Sequence, residues 1–242
     1  IAAAKASSLY TAGYAYVVVG ADLSSEAGLT ISDASLAIGG SNKITITEAA
    51  KPQFKVTGSV LDLASLTFAY GWSDEASGSF AGSFLTTAGG NVYMEGITVE
   101  GTGIAADNAN SASTITASSG YIYMAKCTFT GITSKVALIS GFANIGFALK
   151  DKTANKFESI TRTAGNGAVF ELTAVTALYL HDLEFDGCSA TESEGNSDGL
   201  GGVMHVTVSG NNVVRCSFEN VKVTAGTAAS GNVFYFATKA DS

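Results

Sequence analysis

Proline, arginine and histidine are almost missing from this chain. Across 242 residues there is one proline (Pro52), two arginines (Arg162 and Arg215) and two histidines (His181 and His205). So few guanidinium groups leave little with which to clamp phosphate or carboxylate bidentately. A formal net charge of −8 and a pI near 4.7 remove the clustered positive charge on which nucleic-acid binding rests, so no nucleic-acid partner is expected. The three cysteines (Cys127, Cys188, Cys216) are too few and too scattered for a disulfide scaffold or a zinc site and read as small core residues. No apolar run is long enough to cross a bilayer. The most apolar patch, TAGYAYVVVG from Thr11, is strand-sized. No membrane insertion by this segment and no cofactor are expected. There is no Asn-x-Ser/Thr acceptor, and without a starting Met or basic leader the chain reads as a processed product or part of a longer protein.

What is abundant is glycine, with 28 residues, together with Ser, Thr, Val and Ala, a composition that favours short strands and turns. Self-comparison shows that the strands repeat. One block recurs as NVYMEGITVEGT from Asn91, YIYMAKCTFTGI from Tyr121, ALYLHDLEFDGC from Ala177 and NNVVRCSFENV from Asn211. Weaker copies are SVLDLASLTFAYG from Ser59 and ANKFESI from Ala154. Taking Phe68, Val99, Phe129, Phe157, Phe185 and Phe218 as equivalent anchors, the spacing runs from 28 (Phe129 to Phe157) to 33 (Phe185 to Phe218). A second block follows each polar, Gly-rich stretch: SKVALIS, NGAVFELT, GGVMHVT and GNVFYFA.

Within the first block, inward alternation is interrupted by two residues, as between Met94 and Ile97. Alternation of period two marks a strand with one buried face, and the interruption predicts a corner. Corners are expected at Glu95-Gly96, Ala125-Lys126 and His181-Asp182. Short strands joined by corners and repeating every ~30 residues describe one rung of a parallel β-helix, too long for the left-handed hexapeptide type. The expected fold is therefore all-β, a right-handed single-stranded parallel β-helix of about eight rungs over residues 16–242, with residues 1–15 as a capping arm.

The blocks GNGAVFE (165–171), GLGGVMHV (199–206), SGNVFYF (230–236) and FENV (218–221) resemble the paired repeats of polymorphic outer-membrane proteins, within the wider pectate-lyase-like β-helix class. In FENV the Asn falls one residue short of that family's Phe-x-x-Asn, and FDGC, FTGI and FESI carry Gly or Ser at the same place. The resemblance covers residues ~90–242. It implies a right-handed β-helix at a cell surface or in an extracellular fibre, and it names no catalytic residue.

The candidate chemistry lies on the outer columns. Enzymes on this fold that act on polysaccharides need paired or calcium-holding carboxylates with a base on one face. Glu100, Glu158, Asp186 and Glu219, each following an anchor, form a candidate calcium column, interrupted by Thr130 and flanked by lysines. Glu171 and His205 align on adjacent rungs and make the one candidate acid–base pair. His181 sits beside Asp182 at a corner. Tyr93, Tyr123 and Tyr179 share one slot, and Val136, Val169, Val203 and Val233 another. If outward, these are stripes for a partner, a glycan or a neighbouring copy; if inward, the valines are core. Thr67, Thr98 and Thr128 suggest an ice-binding array, which Lys156 and Glu184 break. The expected role is thus a non-catalytic structural or adhesive module outside the cell, partnered by itself or by surface proteins and glycans. A polysaccharide-active enzyme is the alternative, and ice binding a further one.

Overall fold

Short β-branched and aromatic segments separated by glycine-rich turns cannot bury a face alone, so each must stack on its neighbours. The computed structural model describes residues 14–25, 28–32, 35–46, 52–70, 82–101, 110–141, 145–147, 153–175, 177–193, 199–208 and 215–238, and every strand pairing among them is parallel. Three sheets run along the coil, of 12, 8 and 4 strands. The eight-stranded sheet has one strand per rung: Leu23–Ser25, Lys43–Ile46, Thr67–Tyr70, Thr98–Glu100, Thr128–Thr130, Asn155–Glu158, Ala177–Asp186 and Arg215–Val223. The described residues form a parallel β-helix of eight rungs. Among the described residues no helix is long and apolar enough to cross a membrane. The strand Tyr14–Val19 already pairs with Ser35–Gly40, so Tyr14 and Ala15, ahead of the expected boundary at 16, belong to the coil. The rest of the expected arm lies outside the described residues.

The inward columns make one continuous core. Register places Leu23, Ile44, Phe68, Val99, Phe129, Phe157, Phe185 and Val223 one above another. Phe129, Phe157 and Phe185 stack with centroids 5.3 Å apart at each step, close to the strand spacing of ~4.8 Å that sets it. The last anchor differs from the expectation. Phe218 pairs with Leu180, and Val223 pairs with Phe185. Similarity of letters obscured the true register, because NNVVRCSF resembles the wrong half of its neighbour.

The expected corners are left-handed bends. Gly96, Lys126 and Asp182 have φ of 63°, 57° and 51°, and Ser65 and Asn220 bend alike at 55° and 52°. A second column of bends follows the anchors at Gly131, Ser159 and Gly187. Buried side chains cap these corners. Asn155 accepts from the Cys127 amide at 3.0 Å and donates to the Met124 carbonyl at 3.3 Å. Asn220 Nδ2 donates to buried Asp182 Oδ1 at 2.7 Å. In the long sheet, the strands Leu85–Glu95 and Ile115–Ala125 kink where Gly120 (φ 78°) lies over Gly90; a Cβ there would overlap the Gly90 carbonyl. Only glycine fits that crossing.

Candidate functional site

Glu171 and His205 are register partners on the strands Phe170–Val175 and Met204–Val208, and Tyr235 continues their column. The alternation that buries Phe170, Leu172, Met204 and Val206 turns this column away from the core. Against the expectation of an outward acid–base pair on adjacent rungs, the structure differs in two respects. Glu171 is taken by Arg162, whose Nη1 lies 2.6 Å from Glu171 Oε2. His205 is buried, its ring stacked on Tyr235 at 5.6 Å and 9°, and its Nδ1 has no partner.

Arg162 owes its place to the short strand Thr161–Arg162, which pairs with Thr133–Ser134 and Cys188–Ala190. From there the guanidinium donates to the carbonyls of Ala164, Asn166 and Gly167 as well as to Glu171. Its fork of five N–H donors ties a whole loop to the adjoining strand. Burial lowers the His205 pKa, against which the Glu171 charge pulls upward and Arg162 downward. The imidazole is therefore neutral near pH 7. A general base needs a carboxylate or imidazole free to take a proton; here the carboxylate is held by an arginine and the imidazole is shut in. This cluster fastens the coil. Nothing in the pattern around Arg162 singled it out in the sequence, because its partners come from the loop fold rather than from a motif.

The other candidate columns separate in the same way. The carboxylates Glu100, Glu158 and Asp186 do rise in register with Thr130 between them, but Glu219 faces His181 instead. Lys43 Nζ meets Glu100 at 3.0 Å, and Lys156 Nζ meets Glu184 at 3.4 Å. Among the described residues no three His, Cys, Asp or Glu side chains converge as a metal-holding group. His181 Nδ1 lies 3.3 Å from Asp182, its own corner neighbour. Thr67, Thr98 and Thr128 align and are bounded by Lys43 and Lys156.

Val169 and Val203 are fully buried, and Val233 packs against the core. Backbone bonds run from Val169 to Val203 and from Val203 to Val233, so this stripe faces inward and is no docking surface. Val136 does not belong to it; Leu138 precedes Ile139, the partner of Phe170, and takes the place beside Val169. The cysteines also divide. Cys127 and Cys188 are core thiols, pushed up to about 11 and about 12 by burial, whereas Cys216 is exposed because it lies on the last rung.

The tyrosine column is real over two rungs. Tyr93 and Tyr123 stack at 5.0 Å and 8°. Gly146 follows Tyr123 in register, so the stack ends there. Tyr179, highly exposed, lies in a strand paired to Arg215–Val223 with Ser217 as its partner. Beside Tyr93 opens a cavity of about 300 Å³ whose lining includes Asp62, Ala64, Tyr93, Glu95 and Tyr123.

The last rung is the other surface of note. Residues 216, 218, 221 and 223 continue the inward columns of Leu178, Leu180, Leu183 and Phe185, which are all buried. Yet Phe218 is 45% exposed and Phe236, above Val206, 43% exposed. Among the described residues all three sheets end at this rung. No family model matches this chain, and no match was found among curated proteins or solved structures.

Proposed function

We propose that this protein is a non-catalytic structural or adhesive β-solenoid module that works outside the cell and assembles end to end. The observation that carries this reading is the open last rung. Among the described residues its strands are paired on one side only, and its core-facing Phe218, Val221, Val223, Phe234 and Phe236 are incompletely covered. Such an edge is a template for another strand layer. Phe218 and Phe236, 45% and 43% exposed, would each gain roughly 1 kcal/mol on full burial. The first rung offers a counterpart, since Leu23, at the other end of the Phe185 column, is 44% exposed. Joining unlike ends is a heterologous contact that propagates into a filament.

Sedimentation velocity over a concentration series tests this. Larger species should appear as concentration rises, and a Phe218→Ser, Phe236→Ser variant should stay monomeric with an unchanged circular-dichroism spectrum. Native chain that remains monomeric at millimolar concentration overturns the reading.

A further inference from the structure

We infer that the stacked pair Tyr93 and Tyr123 is a modification site, where one-electron oxidation joins the two rings as dityrosine and staples adjacent rungs. The inference is independent of end-to-end assembly and rests on another face of the coil.

The register brings the pair together. Tyr93 and Tyr123 are partners on the strands Leu85–Glu95 and Ile115–Ala125. The alternation that buries Val92, Met94, Ile122 and Met124 turns both phenols outward. Their ring centroids stand 5.0 Å apart with planes within 8°, close to the strand spacing of ~4.8 Å. Tyr93 is 44% exposed, so an oxidant in solution reaches its ring. Gly146, the next residue of the column, has no side chain and leaves Tyr123 room to tilt. Tyr121 adds a third ring 6.1 Å from Tyr123. Its own partner on the neighbouring strand is Asn91, so its register supplies no second phenol.

Dityrosine forms when two phenoxyl radicals couple through the ring carbons ortho to oxygen, the para carbon being occupied by Cβ. Each phenol gives one electron and one proton to the oxidant. The ortho–ortho carbon–carbon bond then forms, and the two ortho hydrogens move to the oxygens, restoring both phenols. With a haem peroxidase and hydrogen peroxide as oxidant, one peroxide takes both electrons and both protons and leaves as two waters. Radicals on separate chains must meet by diffusion, whereas the strand ladder holds these two rings in contact and raises their effective concentration. The other exposed tyrosines lack this arrangement, since Tyr16 is partnered by Ala37 and Tyr179 by Ser217. The new bond closes the chain from Tyr93 to Tyr123 and constrains the unfolded state, as a disulfide does.

Treatment of the dilute full chain with a haem peroxidase and hydrogen peroxide tests the site, once N-ethylmaleimide has capped the exposed Cys216 thiol. Dityrosine fluorescence should appear in the monomer, with a yield per chain that does not change on dilution. Cyanogen bromide cuts after Met94 and Met124, which are buried from the peroxide, and so parts Tyr93 from Tyr123. In the oxidised native chain those two fragments should stay joined, lighter by two hydrogens. Tyr93→Phe and Tyr123→Phe, which keep the stacked rings, should each lose the joined product, while Tyr121→Phe should retain most of it. The oxidised native chain should also unfold at higher urea than the Tyr93→Phe chain given the same treatment. Absence of dityrosine, dityrosine only between chains, joined fragments in Tyr123→Phe, or equal urea midpoints would each overturn the inference.

Discussion

Arg162 Nη1 meets Glu171 Oε2 at 2.6 Å, and this contact removes from His205 the carboxylate that the strand register sets beside it. The arginine also holds three backbone carbonyls of residues 164–167. Arg162→Ala leaves those carbonyls and Glu171 without their donor and should destabilise the coil by about 2–4 kcal/mol. Glu171→Gln keeps an acceptor for the guanidinium and, on a half-exposed partner, should cost about 1 kcal/mol or less. Urea unfolding of the two variants checks the order.

His205 makes the same cluster sensitive to acid. Burial lowers its folded-state pKa below the ordinary 6.5, with Glu171 pulling upward and Arg162 downward. The unfolded chain thus binds the proton more readily than the folded one, and stability rises with pH across that window. The His205 contribution is fully present above pH 6.5 and is lost as pH falls toward the folded value. Melting temperatures from pH 7.5 to 5 should fall less for His205→Asn than for the native chain; equal slopes would show that carboxylates alone carry the acid sensitivity.

The phenylalanine ladder should respond according to depth. Phe157 is wholly buried between Phe129 and Phe185, and Phe157→Ala should cost about 3–5 kcal/mol through lost transfer energy and the cavity left behind. Phe218→Ala on the open rung removes one partly exposed ring stacked on Phe234 and should cost about 1 kcal/mol. Denaturation midpoints of the two variants compare them directly.

The bend after each anchor offers a backbone test. Ser159 holds φ 54° between Gly131 and Gly187, which bend alike. Ser159→Gly relieves the left-handed penalty and should stabilise by about 0.5–1 kcal/mol after the added chain entropy is offset. At Gly187 the nearest Ser159 atoms stand 3.7 Å or more from where a Cβ would lie, so Gly187→Ala should cost about 1 kcal/mol from φ alone. Opposite signs in paired thermal melts are the expected result.

Legibility in the sequence followed the range of the interactions. The corners at Gly96, Lys126 and Asp182 were readable because a two-residue break in alternation is a local event. The ladder from Phe68 to Phe185 was readable because nearly constant spacing forces equivalent residues into one column. Past Phe185 the spacing between equivalent residues changes, and similarity of letters pointed to Phe218 where pairing selects Val223. The valine stripe stayed open between two faces for a related reason: alternation shows that two faces differ, and burial decides which is inside. The tyrosine column ended early because Gly146, which carries no side chain, occupies the next place above Tyr123.

The sequence by itself determined that this chain is a stack of parallel strand rungs, since repeated apolar alternation with bends every ~30 residues can be buried in no other way. Only the tertiary structure decided what the outer side chains do. Arg162 captures Glu171 across nine positions of chain, Tyr235 covers His205 from the next rung, and Tyr123 stacks on Tyr93. Those meetings depend on loop lengths and strand register, which set neighbours about 30 residues apart in the chain at one strand spacing in space.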